Sequence, residues 1–119
     1  MSQRFAPCPS SPNCVTSYAQ DEPHAIDPLP LPDVRPMETL RAVVEAMPRT
    51  TIVTEDDDYM HVVYRSRIFR FADDVEFLID EDAQVIHVRS ASRVGYGDMG
   101  VNRNRVESIR EQMLRRISG

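Results

Sequence analysis

The sequence predicts an α+β fold: a two-layer sandwich in which an antiparallel meander of three to four strands is covered on one face by two helices, with a proline-rich N-terminal arm. Three observations carry that prediction. Apolar residues recur at helical spacing in two separated segments. Between them, apolar and polar residues alternate with period two, across short acidic turns. Eight of the nine prolines and both cysteines fall within residues 1–36. At 119 residues the chain is expected to form one unit, an arm (1–36) packed on a body (36–119).

Proline removes backbone donors and pushes its predecessor towards extended conformations. Residues 1–36 are therefore expected to drape over the body rather than join its sheet. Val15, Ile26, Leu29 and Leu31 give the arm apolar side chains to dock. Pro36 suits the first turn of a helix. Met37, Leu40, Val43, Val44 and Met47 form its stripe, and Pro48 ends it. Residues 51–54 are β-prone, and an acidic turn follows at 55–58. Alternation over 59–67 sets Met60, Val62 and Tyr64 on one side. Over 74–79 it does the same for Val75, Phe77 and Ile79, and over 85–90 for Ile86 and Val88. Residues 80–83 read as a hairpin loop. A loop with Gly95, Gly97 and Gly100 leads to a last helix, which Asn102 is expected to cap. Its stripe is Val106, Ile109, Met113 and Ile117. Strands joined by short turns run antiparallel, and the apolar face they share needs both helices as cover.

Composition excludes several functions. The net charge of -5 and a pI of about 5.1 disfavour nucleic acid as a partner. No apolar run is long enough for a membrane span. The first residues have no apolar signal region, so a cytoplasmic location is expected. All 14 basic residues are arginine. Without lysine there is neither Schiff-base chemistry nor a P-loop. GC-rich codon usage and bidentate anion binding each account for an arginine-only complement, so the count decides nothing.

Three groups of residues carry candidate chemistry. Cys8 and Cys14 have five residues between them. Zinc prefers two to four, with four ligands in all, and only His24, His61 and His87 stand ready to help. A structural thiol or disulfide pair is expected, reduced in the cytoplasm, with no metal and no cofactor. His24 is expected to dock the arm by hydrogen bonds. The second group is the outward sheet face. Alternation gathers His61, Arg65, Arg67, Asp74, Glu76, His87 and Arg89 there. They form either a shallow anion site, with Glu76 or His87 as general base, or a solvated ladder of Arg–carboxylate pairs. The third is the glycine loop. Ser90, Ser92, Arg93, Tyr96, Asp98, Asn102, Arg103 and Arg105 surround it, and a glycine-rich loop entering a helix is a natural anion cradle. Arginines at a helix start oppose the macrodipole, so something negative must offset them. It is either an external anion or the carboxylates Asp73, Asp74 and Asp98. Ser10, Ser11, Ser90 and Ser92 lack a nucleophile-elbow context.

Several segments resemble the DUF1499 family, a domain of unknown function found in bacteria and plastids. They are Cys8-Pro9-Ser10-Ser11-Pro12-Asn13-Cys14-Val15; His24-Ala25-Ile26 with Pro28-Leu29; Arg65-Ser66-Arg67 with Phe69-Arg70-Phe71 and Asp73-Asp74-Val75-Glu76-Phe77; and Arg89-Ser90-Ala91-Ser92-Arg93-Val94-Gly95-Tyr96 with Asp98, Gly100, Asn102, Arg103 and Arg105. Together they span roughly residues 7 to 110. The resemblance implies a compact single domain and supplies no reaction. Many such relatives look exported or membrane-tethered; this chain is expected to differ, having no leader.

The expectation that follows is a non-enzymatic binding or accessory module for an anionic small molecule or protein partner. Its site would comprise Arg89, Arg93, Arg103, Arg105, Ser90, Ser92 and Asn102, supported by Asp98, Glu76, Arg65, Arg67 and His87. The alternatives are a small hydrolase or isomerase using Glu76 or His87 with arginine anchors, and a purely structural Arg–Asp network. The sequence does not name an oligomeric state.

Overall fold

A computed structural model describes residues 5–118. The arm's first four residues, and the leader reading placed on them, lie outside the described residues. Eight elements follow in order: β1 (Cys14–Thr16), β2 (Leu29–Pro30), α1 (Pro36–Glu45), β3 (Thr50–Glu55), β4 (Tyr59–Arg65), β5 (Ala72–Asp80), β6 (Val85–Ser92) and α2 (Val101–Ser118).

The fold is α+β, and the sheet has six strands rather than three or four. Its order is β1-β6-β5-β4-β3, with β2 also paired to β6, and every strand pair is antiparallel. The arm supplies the difference. β1 lies along Arg89, Ser90 and Ala91, and β2 along Val85 and Ile86, so the two share one edge of β6. The expectation that the arm stays out of the sheet is thus corrected. Proline is tolerated on an edge strand, and Pro30 sits at the end of one; β1 contains none. Val15, Ile26 and Leu29 are buried in the main core, and Leu31 packs against it.

One sheet face carries Met60, Val62, Tyr64, Val75, Phe77, Ile79, Ile86 and Val88, all buried. Leu40, Val43 and Val44 of α1 and Val106, Ile109 and Met113 of α2 join them in one cluster. Burial of side chains such as Phe77, Leu40 and Ile109 contributes roughly 1.5–3 kcal/mol each. Ile117, expected in the α2 stripe, is exposed.

The opposite face is not open either. Val63, Leu78 and Ala91 are buried on it. Residues on either side of β1 cover the β6 side of this face: Phe5 meets the Tyr18 ring edge-on, and Tyr18 stacks on His87 at 4.3 Å. Cys8 and Cys14 form a disulfide with Cα atoms 5.7 Å apart. The reduced pair expected from the sequence is therefore not the form present. Cys14 is held in β1, and the chain before it turns back over the sheet to bring Cys8 alongside. No helix among the described residues is long and apolar enough to cross a membrane.

Candidate functional site

Successive residues of a strand face opposite ways, and that rule divides the arginine cluster. Asp73 and Asp74 are adjacent on β5. Arg105 pairs with Asp73 on the helix-covered side, and Arg93 with Asp74 on the outward side. The four arginines expected in one site thus occupy separate places.

Arg105 is the most enclosed. Its Nη2 donates to Asp73 Oδ2 at 2.7 Å, with the two side chains 11% and 10% exposed. Its Nη1 donates to Asn102 Oδ1 at 2.9 Å and Ser90 Oγ at 3.2 Å. The guanidinium lies 4.8 Å from the centre of the Tyr64 ring. Burial pushes the Tyr64 phenol well above its ordinary pKa, with Arg105 pulling the other way.

Asn102 is the hub of this network. Ser90 Oγ donates to its Oδ1 at 2.7 Å. Its Nδ2 donates to Asp98 Oδ2 at 2.7 Å, Ser92 Oγ at 2.9 Å and the Asn13 carbonyl at 3.1 Å. Asn13 Nδ2 donates to the Gly95 carbonyl at 2.8 Å. The arm, β6, the glycine loop and α2 are joined through these few atoms. Asn102 was expected to cap α2; it lies one residue inside the helix, fully buried. The capping group is Asp98, which accepts the Gly100 and Asn102 backbone N–H groups at 2.9 and 3.0 Å. Partial burial raises the Asp98 pKa, but the bonds from Asn102 and Gly100 outweigh it and hold the carboxyl below its ordinary value. Asp98, one of the carboxylates weighed against an external anion for this role, thus occupies the helix N-terminus. Gly100, at φ +80°, makes the entry to α2 without the strain a side chain would bring.

The segments Asn13, Ser90, Ser92, Asp98, Asn102 and Arg105, distant in sequence, meet in a single network. A family model described as "Protein of unknown function (DUF1499)" matches residues 4–113. The chain belongs to the DUF1499 family. No curated protein and no solved structure matches it.

On the outward face of this DUF1499 domain, Arg93 grips Asp74 with both ends of its fork, at 2.8 and 2.9 Å. His61 Nε2 lies 2.8 Å from the same carboxylate. Arg93 is the main cause of the lowered Asp74 pKa; burial opposes it and His61 adds to it. Arg89 faces Glu76 at 3.8 Å and reaches the Pro7 carbonyl at 3.4 Å; its buried Nε has no hydrogen-bond partner among the described residues. Glu76 accepts from the Tyr59 hydroxyl. His87, beneath Tyr18, has Nδ1 3.0 Å from Ser17 Oγ and Nε2 3.3 Å from Asp80. Both candidate bases are thus bonded within the fold.

Arg103 stands apart, on the flank of α2, with long contacts to the Glu22 and Pro23 carbonyls. His24 docks the arm as expected: Nδ1 meets the Asp21 carboxylate and Nε2 lies 2.9 Å from the Ser11 carbonyl. Both partners are acceptors, so the imidazolium satisfies them best. The Ser11 carbonyl, then Asp21, raise the His24 pKa against burial, and Asp21 is lowered in turn, chiefly by His24.

Arg65 ends β4, exposed, and among the described residues its guanidinium has only a 3.5 Å contact to the Arg70 carbonyl. Arg67 was placed on the outward strand face. It lies beyond β4, in the 66–71 turn, because Ser66 closes the hairpin by bonding Phe71 twice, at 2.9 and 2.8 Å. Sequence reasoning missed this turn as a surface feature, along with Asn13, Ser17 and Arg70. The signal was present: residues 65–71 hold three arginines and no acid, and their aromatic residues break the strand alternation. Ser66 and Phe71, with Asp73, Ser92, Val94, Gly95, Gly97, Asp98 and Val101, line a cavity of about 240 Å³ between turn and glycine loop.

Proposed function

We propose that this DUF1499 domain is a non-enzymatic binding or accessory module that recognises an anionic partner through one end of its sheet. The 66–71 turn and the glycine loop make that end. One observation carries the reading. Arg67 and Arg70 are exposed and have no carboxylate partner among the described residues, whereas Arg89, Arg93 and Arg105 face Glu76, Asp74 and Asp73. Arg93 is forked to its carboxylate, and the Arg89 and Arg105 side chains are enclosed beside theirs, so they have little left to offer a ligand. Recognition therefore moves from the arginines of β6 and α2 to those of the turn, and the paired arginines become the support beneath it.

Binding of dextran sulfate, a soluble polyanion, tests the reading. The whole chain carries -5, so retention at low salt requires a local basic surface. Arg67→Gln/Arg70→Gln is expected to abolish binding without moving the urea midpoint. Equal binding by the parent and the double variant overturns the proposal, and so does failure to bind any polyanion or anionic surface.

A further inference from the structure

We infer that the anionic partner is a lipid surface, and that the 66–71 turn, with the tip of the glycine loop, enters its headgroup layer. The inference rests on the reading above and narrows it to one class of partner.

The topology gathers the parts. β5 runs antiparallel to both β4 and β6. The end of β4, the start of β5 and the end of β6 therefore meet at one end of the sheet. The turn 66–71 and the loop 93–100 leave from that end together, and the shared cavity shows them side by side. Seven of the eleven exposed large hydrophobic side chains among the described residues belong to these two segments and the first residue of α2. Ile68 is 79% exposed, Phe69 73%, Tyr96 73% and Met99 99%. The Phe69 and Phe71 rings stack at 5.6 Å, which presents them as one apolar knob. An exposed patch of this kind marks an interaction site.

Charge indicates what covers it. Arg65, Arg67 and Arg70 interleave with Ile68, Phe69 and Phe71, and no acid lies among them. Aromatic and aliphatic side chains flanked by long cations match the boundary between acyl chains and anionic headgroups, where the arginine stems lie along the apolar layer and their heads reach phosphate. The far end of the sheet is the opposite. Its turns carry Glu55, Asp56, Asp57, Asp58, Asp80, Glu81 and Asp82. A negative plane therefore attracts one end of the molecule and repels the other, which orients the domain upright on it. The knob is carried on a short turn, with Ile68 and Phe69 largely exposed at its tip. A bilayer yields to an exposed apolar tip, whereas a protein partner must provide a complementary surface.

The chain has no tryptophan, so Phe69→Trp supplies a single reporter at the tip. Flotation with phosphatidylcholine vesicles containing phosphatidylglycerol is compared with phosphatidylcholine alone. The unmodified chain is expected to float with the anionic vesicles only and to be released by salt. The Phe69→Trp emission is expected to shift to the blue and to be quenched by brominated acyl chains. Ile68→Ser/Phe69→Ser and Arg67→Gln/Arg70→Gln should each weaken partitioning by about tenfold or more. Equal flotation with both lipids overturns the inference, because charge would then play no part. Binding of dextran sulfate or poly-L-glutamate without flotation also overturns it, and leaves the anionic-partner reading standing. Binding to none of the three overturns both.

Discussion

Arg105 and Arg67 are the same side chain in opposite settings. Arg105 is 11% exposed, faces Asp73, and touches Asn102, Ser90 and the Tyr64 ring. Arg67 is exposed on a turn, beside Ile68. Burying a guanidinium costs solvation, and only well-placed acceptors offset it. The fold provides those acceptors to Arg105 by pairing β5 with β6 and laying α2 across them. Among the described residues it provides none to Arg67. The comparison shows that an arginine-rich sequence holds two populations, one that ties the fold together and one that remains available to a partner.

Removing the buried member should have the largest effect. Arg105→Ala leaves Asp73 enclosed without its cation, and about 3–5 kcal/mol of stability is expected to go. Urea unfolding measures it. A loss below roughly 1 kcal/mol, the range of a surface pair, would erase the distinction between the two arginines.

The arm closes the buried side, since the Asn13 carbonyl accepts from Asn102. Opening the disulfide loosens that closure without touching the turn. Cys8→Ser, or reduction, is expected to cost about 2 kcal/mol for so short a loop. The thermal midpoint should fall, while binding through Arg67 and Arg70 persists. Loss of binding in step with the disulfide would show that the two regions are coupled.

Smaller again is the effect of pH through the His24 clasp. The folded His24 pKa is raised, so its contribution is full below the unfolded value and fades as pH rises through the folded one. Asp21 is lowered, so its contribution is full above its unfolded value and is lost as pH falls through the folded one. The clasp is thus strongest between about pH 4 and pH 6.5. The stability difference between the parent and His24→Ala should peak in that window and shrink towards alkaline pH. A difference that stays flat across it would remove His24 as the titrating group.

The smallest change in stability belongs to the exposed member. Arg67→Gln/Arg70→Gln should lie within about 0.5 kcal/mol of the parent in urea. A larger loss would place the turn among the scaffold arginines.

How far the sequence foretold this division varies by region. Alternation in 59–67, 74–79 and 85–90 located β4, β5 and β6, because strand period is written in neighbouring residues. It also placed His61, Asp74, Glu76, His87 and Arg89 on one face. β1 and β2 were not legible. They are three and two residues long, and they exist only because β6 offers an unpaired edge. Asn102 had the composition of a cap, and a displacement of two residues from the cap position turned it inward to become the hub.

Two helices and an antiparallel core follow from the sequence alone, whereas the turn at 66–71 was read as a continuation of β4. The helices and the core strands are each a property of a few consecutive residues and their spacing. Which arginines meet carboxylates did not follow. Asp73 reaches Arg105 across 32 positions and Asp74 reaches Arg93 across 19. Those distances close only after β5 and β6 pair and α2 docks. The opposed facing of two adjacent aspartates then sends one arginine into the interior and the other to the far face. Tertiary structure alone decided this, since ion pairing depends on separation in space and on local burial.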